Sequence, residues 1–174
     1  IPPSQRQFGP SLIMSATPII DVDQLEKHFG TLKAVDGLTF SVEAGQTVAL
    51  LGGNGAGKTT TISMLLGLLI PTAGRISLFG LDIAKHRHKV LGRMNFSSPY
   101  VDLPHRLSAR ENLTVFAKLY GLKDVATRIK EVAAALDLGA LLDRKTGSLS
   151  AGQKTRVALG KALLNRPELL LLDE

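Results

Sequence analysis

The densest chemistry in the chain lies in nine residues, GGNGAGKTT, running from Gly52 to Thr60. They satisfy G-x-x-x-x-G-K-[ST] and stand between the apolar run TVALL and the helix-like stretch TTTISMLLGLL. Glycines at 52, 55 and 57 let the backbone curl until successive N–H groups face one anion, and the helix start behind them adds its dipole. Lys58 is then the mobile cation for the outer phosphates of a nucleotide, and the Thr59 hydroxyl is a hard oxygen ligand suited to Mg²⁺. Asn54, Ala56 and Thr60 complete the nucleotide-binding loop.

A loop of this kind needs a second acid for its metal, and the stretch ELLLLDE supplies one. Asp173 is placed to touch the ion or a water bound to it, and Glu174 to orient and deprotonate an attacking water. Leu169 to Leu172 follow Asn165-Arg166-Pro167 and read as a strand buried on both faces of a parallel sheet. In open α/β sheets ligands bind beyond the carboxyl ends of the strands, where these two acids fall. A third constellation is LSAGQ, Leu149 to Gln153. Ser150 and Gln153 have the capping-box spacing of a helix through KTRVALGKALL, so the segment reads first as a well-capped helix. A serine hydroxyl, free N–H groups and a glycine at a helix start also make a second phosphate site.

The elements that must position these residues are partly legible. Ile19 to Leu25, Leu38 to Val42 and Arg75 to Phe79 alternate as half-buried strands do, whereas Thr47 to Leu51 is a continuous apolar strand. Ser108 and Glu111 cap a helix carrying Leu113, Phe116 and Tyr120 on one face and stopping at Gly121. A second helix covers about 124–137, with Ile129, Val132, Ala133 and Leu136 inward. A helical insert over about 91–147 thus divides one α/β core.

Composition excludes several classes. The 174 residues are 44% hydrophobic, enough for one ordinary core. The formal charge of +6 is not concentrated, and the densest basic group, Lys85 to Lys89, reads as a solvated helix face, so no nucleic-acid partner is expected. No apolar run reaches the roughly 18 residues of a membrane helix, so a membrane role requires a partner. The absence of cysteine removes disulfides and thiolate metal sites and suits a reducing cytosol. Residues 1–18, with three of the eight prolines in the first 13, read as a disordered leader before a domain over 19–174, and Met14 offers a second start.

LSAGQ, about 20 residues before LLLLDE and downstream of GGNGAGKTT, resembles the signature motif of ATP-binding cassette (ABC) proteins, usually LSGGQ. The resemblance runs from about Ile19 to Glu174. It implies an α/β P-loop NTPase fold, with a RecA-like parallel sheet core, an antiparallel β subdomain and an inserted helical subdomain. It implies ATP and Mg²⁺ as ligands, Phe29 as the aromatic on which adenine stacks, and Lys58 and Glu174 as catalytic residues. It also implies a head-to-tail pair in which Ser150, Ala151, Gly152 and Gln153 close over the partner's ATP. The helical insert would meet a separate membrane-spanning subunit, with the chain peripheral on the cytoplasmic face of the membrane. GLLIPTAGRISLFGLDI resembles single-domain cassettes that serve exporters.

Two departures accompany the resemblance. Between core and insert, NFSSPYVDLPHRLSAREN holds no glutamine, and Ser97 or Ser98 falls nearest the family's metal-contacting glutamine. Ala151 replaces the middle glycine of the signature. Family chains also continue past the acid pair into a dimer-contact loop and a switch histidine, so the chain reads as a fragment cut after Glu174 and inactive alone. Two rival readings are a soluble ABC ATPase acting on nucleic acid or ribosomes, and a cassette that binds ATP without turnover.

Overall fold

The computed structural model describes residues 17–98 and 103–173; residues 1–16 of the expected leader, and Glu174, lie outside them. Strands β1 (Ile20–Phe29) and β2 (Leu32–Val42) form a long antiparallel hairpin. Alternation along β1 breaks where Val22 and Leu25, three residues apart, are both buried. A register shift between them, with Gln24 at φ +46°, turns Leu25 back to the core face. Strands β3 (Ala73–Leu78) and β4 (Leu81–Asp82) complete an antiparallel sheet of order β2-β1-β3-β4.

Helix α1 (Lys58–Leu65) and helix α2 (Ile83–Leu91), the latter capped by the Asp82 carboxylate at 2.9 Å from Ala84 N, contribute to the first core. Met64, Leu65, Ile83 and Val90 there join Val22, Leu25, Ile76 and Leu78 of the sheet. The basic group 85–89 lies on α2, which kinks at His86.

A second core gathers helices α3 (Ala109–Leu119), α4 (Val125–Ala135) and α5 (Ala151–Leu163). The Ser108–Glu111 capping box forms in full, and Gly121 beyond the end of α3 has φ +72°. Leu113, Ile129, Val132 and Val157 are buried there, and Phe116, Tyr120 and Leu136 pack against them. Asn112, also buried, donates to the carbonyls of Pro104 and Ser108 at 3.2 and 3.1 Å, tying α3 to the preceding loop. Arg128 of α4 donates to the Leu163 and Leu164 carbonyls at 2.5 and 2.9 Å, satisfying the C-terminal end of α5.

The parallel sheet departs from the sequence expectation in three ways. Among the described residues it contains only strands β5 (Met94–Ser97) and β6 (Leu169–Leu172), paired in register from Met94↔Leu169 to Ser97↔Leu172. β5 lies inside the stretch assigned to the helical insert, yet it belongs to this sheet. Thr47 to Leu51 forms no strand, and its apolar residues are exposed: Val48 58%, Leu50 40% and Leu51 87%. A strand buried on both faces needs a ladder partner and a layer on each side, and no described strand pairs with this segment. For the same reason β6 is half-buried rather than enclosed, with Leu172 60% exposed. A groove of about 420 Å³ separates the 47–50 stretch from β6.

Candidate nucleotide-binding site

The loop Gly52 to Thr60 takes its shape from two left-handed glycines. Gly55 and Gly57 both have φ +83°, and Gly57 is the N-cap of α1, its carbonyl accepting from Thr61 N at 2.8 Å. A Cβ at Gly57 would stand 2.3 Å from the Ala34 carbonyl oxygen of β2, so the loop is seated directly on that strand. At Gly52 a Cβ would lie 2.9 Å from the Ala56 methyl, so the first residue of the loop is confined too. Lys58 Nζ donates to the Gly52 and Gly53 carbonyls at 2.6 and 3.0 Å, which holds the ammonium over the curl it closes.

Beside the loop runs an open groove of about 520 Å³. Its walls are residues 33–39 of β2 on one side and Leu50, Leu51, Gly55, Ala56 and Lys58 on the other. The contribution of β2 had no signal in the sequence, because Ala34 lies more than 20 residues before Gly57 and only the hairpin's fold brings them together. Phe29 ends the neighbouring strand, 49% exposed, with Lys27 Nζ 5.2 Å from its ring centroid; it does not line this groove.

Asp173 follows β6, its N–H donating to the Ser97 carbonyl at 3.0 Å, so the acid and the serine expected near the metal share one end of the β5–β6 pair. Ser98, next along, is buried. The groove over the loop is not walled by Asp173, and Glu174 lies outside the described residues. Among the described residues nothing hydrogen-bonds or ion-pairs with the Thr59 hydroxyl or the Asp173 carboxylate. Both are hard oxygen donors of the kind Mg²⁺ takes.

Ser150 caps α5 as its spacing requires: its Oγ accepts from Gln153 N at 3.3 Å, and Gln153 Oε1 accepts from Ser150 N at 3.0 Å. Ser150, Ala151 and Gly152 are exposed. A Cβ at Gly152 would meet nothing within 4 Å, so no packing within the chain demands glycine there. Gly160, two turns on, is different: a Cβ there would press on Leu138 and Val132 at 3.1 and 3.2 Å.

A glycine-rich loop seated on a β-hairpin and opening a helix, with an acid at the end of a parallel strand, defines a P-loop NTPase domain. The ABC transporter family model matches residues 35–174, and the chain belongs to that family. It is 43% identical over 164 residues to the Nod factor export ATP-binding protein I of Burkholderia orbicola (strain AU 1054), a match covering 92% of this chain and 53% of that protein. It is 41% identical to the bacitracin transport ATP-binding protein BcrA of Bacillus licheniformis, covering 90% and 51%. Among solved structures, cbiO1 from Clostridium perfringens, part of the ABC transporter complex cbiONQ, superposes with a TM-score of 0.81 at 28% identity, covering 90% of this chain and 65% of that one. The chain spans about half the length of the curated relatives it matches.

Proposed function

We propose that this chain is the ATP-binding and ATP-hydrolysing part of an ABC exporter, docked on a separate membrane-spanning subunit at the cytoplasmic face of the membrane. The observation that carries the reading is the loop itself: Gly55 and Gly57 at φ +83°, packed on Ala34, with Lys58 held above the curl. Such a loop presents backbone N–H groups and one cation to a phosphate chain. On binding, Lys58 exchanges its two neutral carbonyl acceptors for charged phosphate oxygens, a charge-assisted replacement. Phe29, half exposed on β1, offers its face to adenine. Thr59 and Asp173 would hold Mg²⁺, which would supply charge neutralisation for the outer phosphate oxygens. Glu174 orients and deprotonates the attacking water.

The signature helix supports a head-to-tail pair. Gly152 is exposed and unconstrained within the chain, and beside it are the first N–H groups of α5, which suit close approach to an anion on another molecule. Ser150, Ala151, Gly152 and Gln153 close over the γ-phosphate held by the partner's P-loop. The helical subdomain, α3 and α4, faces the membrane subunit; no helix among the described residues is long and apolar enough to cross a membrane. Export follows the relatives, named for Nod factor export and bacitracin transport.

The 174-residue chain alone turns over little ATP, because among the described residues no strand pairs with the segment leading into the P-loop and Asp173 does not wall the groove over the loop. Calorimetry and phosphate release on the whole protein test the reading. Lys58→Ala should lose MgATP affinity at least tenfold, and Glu174→Gln should retain binding, abolish turnover and accumulate an ATP-bound dimer on size exclusion. Undiminished affinity in the lysine variant, or full turnover in the glutamine variant, overturns it.

A further inference from the structure

At the edge of the nucleotide groove, whose wall includes Asp36, three side chains able to ligate a transition metal converge on the β1–β2 hairpin. One ligand atom each from Glu26, His28 and Asp36 lies within 4.8 Å of the other two. Glu26 and His28 are two apart on β1, the spacing that puts side chains on one side of a strand. Asp36 comes from β2, brought over by a pairing that sets Lys27 opposite Val35 and His28 opposite Lys33.

The imidazole carries the argument. His28 Nε2 lies 3.2 Å from Glu26 Oε2, an ion pair when the ring is protonated; the nitrogen itself is shielded from solvent and makes no hydrogen bond, although the side chain is 29% exposed. A shielded ring nitrogen without a hydrogen bond is uncommon, since buried polar atoms are nearly always satisfied. The separation also has the size a metal would impose. Zn–N and Zn–O bonds of about 2.0–2.2 Å at a tetrahedral angle set neighbouring ligand atoms about 3.3–3.6 Å apart. The His28–Glu26 pair therefore needs almost no movement, and Asp36 closes the third edge by rotating its side chain.

Rotation at Asp36 is cheap. Its one ion pair, to Lys33 Nζ at 3.2 Å, joins two mostly exposed side chains and contributes little. The backbone beneath the other two ligands is held more firmly. His28 N donates to Thr72 Oγ1 at 3.0 Å, and Thr72 N donates to the Glu26 carbonyl at 2.9 Å, so a single residue before β3 anchors both positions.

We propose that Glu26, His28 and Asp36 form a binding site for a zinc-class divalent cation, with water in the fourth position. One imidazole among two carboxylates favours Zn²⁺ or Co²⁺ over Mg²⁺, which takes oxygen ligands in octahedral geometry. None of the three ligands is Thr59 or Asp173, and the imidazole with tetrahedral geometry disfavours Mg²⁺, so excess Mg²⁺ does not displace the cation.

Zn²⁺ titrated by calorimetry into the metal-stripped whole protein, with Mg²⁺ in excess, tests the proposal. One equivalent should bind, and Co²⁺ in its place should give the intense visible absorption of tetrahedral coordination. His28→Ala and Glu26→Gln should each weaken binding at least tenfold. Asp36→Asn, an exposed change that leaves the hairpin folded, should weaken it as well, with an unchanged circular dichroism spectrum. The double variant His86→Ala/His88→Ala should bind as the wild type does. Binding that survives both His28→Ala and Asp36→Asn, binding lost in the His86/His88 variant, or no binding at all overturns the site.

Discussion

Replacing Gly57 by alanine separates two constraints that the P-loop imposes at one position. The residue has φ +83°, and an alanine held in the left-handed region is destabilised by about 1–2 kcal/mol. Its methyl would also stand 2.3 Å from the Ala34 oxygen and 3.0 Å from Val35 Cγ2. Restoring an ordinary contact requires the loop or β2 to retreat by about 1 Å, an overpacking of the kind that costs about 1–3 kcal/mol. The two effects together come to roughly 2–5 kcal/mol. Gly55 isolates the first effect: it has the same φ of +83°, but a Cβ there meets nothing within 4 Å. Gly55→Ala should therefore cost about 1–2 kcal/mol. Gly53, with neither a positive φ nor a neighbour within 4 Å, should accept alanine at no loss. Urea unfolding of the whole protein, read by circular dichroism, should rank the midpoints Gly53→Ala highest, then Gly55→Ala, then Gly57→Ala. Affinity for MgATP should fall furthest in Gly57→Ala, because the retreat re-aims the N–H groups of the loop. Equal unfolding midpoints for the 55 and 57 variants would refute the claim that the loop is seated on β2.

Ser150→Ala should lower stability by about 1 kcal/mol through loss of the cap and also reduce ATP turnover per folded dimer. Loss of stability with full turnover per folded molecule would leave Ser150 as a cap only. Asn112→Ala, which removes buried donors to the Pro104 and Ser108 carbonyls, should destabilise by about 1–3 kcal/mol with no effect on nucleotide affinity per folded molecule. Acid should weaken the fold through four carboxylates. Arg93 holds Glu168, Arg166 and Arg128 hold Glu131, Arg110 holds Asp143, and the Ser108 N–H and hydroxyl hold Glu111, each below its ordinary pKa. A depressed folded-state pKa gives stability that is full above the unfolded value of about 4 and drains away as pH falls through the folded one. Thermal midpoints should thus be flat near neutrality and decline below about pH 4.5, and Glu131→Gln should make that decline shallower. An undiminished decline in that variant would remove its arginine pairs as a cause.

What was legible in the sequence was local. GGNGAGKTT places its glycines where two positive φ values fall, and Ser108-x-x-Glu111 and Ser150-x-x-Gln153 form both halves of their capping boxes. Those outcomes depend on contacts within four residues, so short-range geometry and hydrogen bonding suffice to determine them. The helical faces of α3 and α4 were legible for a similar reason: a period of 3.6 residues records which side a helix buries.

Tertiary structure alone decided the rest. TVALL has the composition of a buried strand, but composition cannot say whether neighbours stand on either side, and Val48 and Leu51 lie exposed. LLLL became a strand because β5, some 75 residues earlier, lies parallel to it. The wall that β2 gives the nucleotide groove, the seat of Gly57 on Ala34, and the meeting of Glu26 and His28 with Asp36 all depend on the register of the β1–β2 hairpin. That register is itself reset by the shift near Gln24. A one-residue change of pairing moves every side chain of a strand to the other face. Alternation in the sequence therefore names the residues that share a face, and the paired strand determines what that face meets.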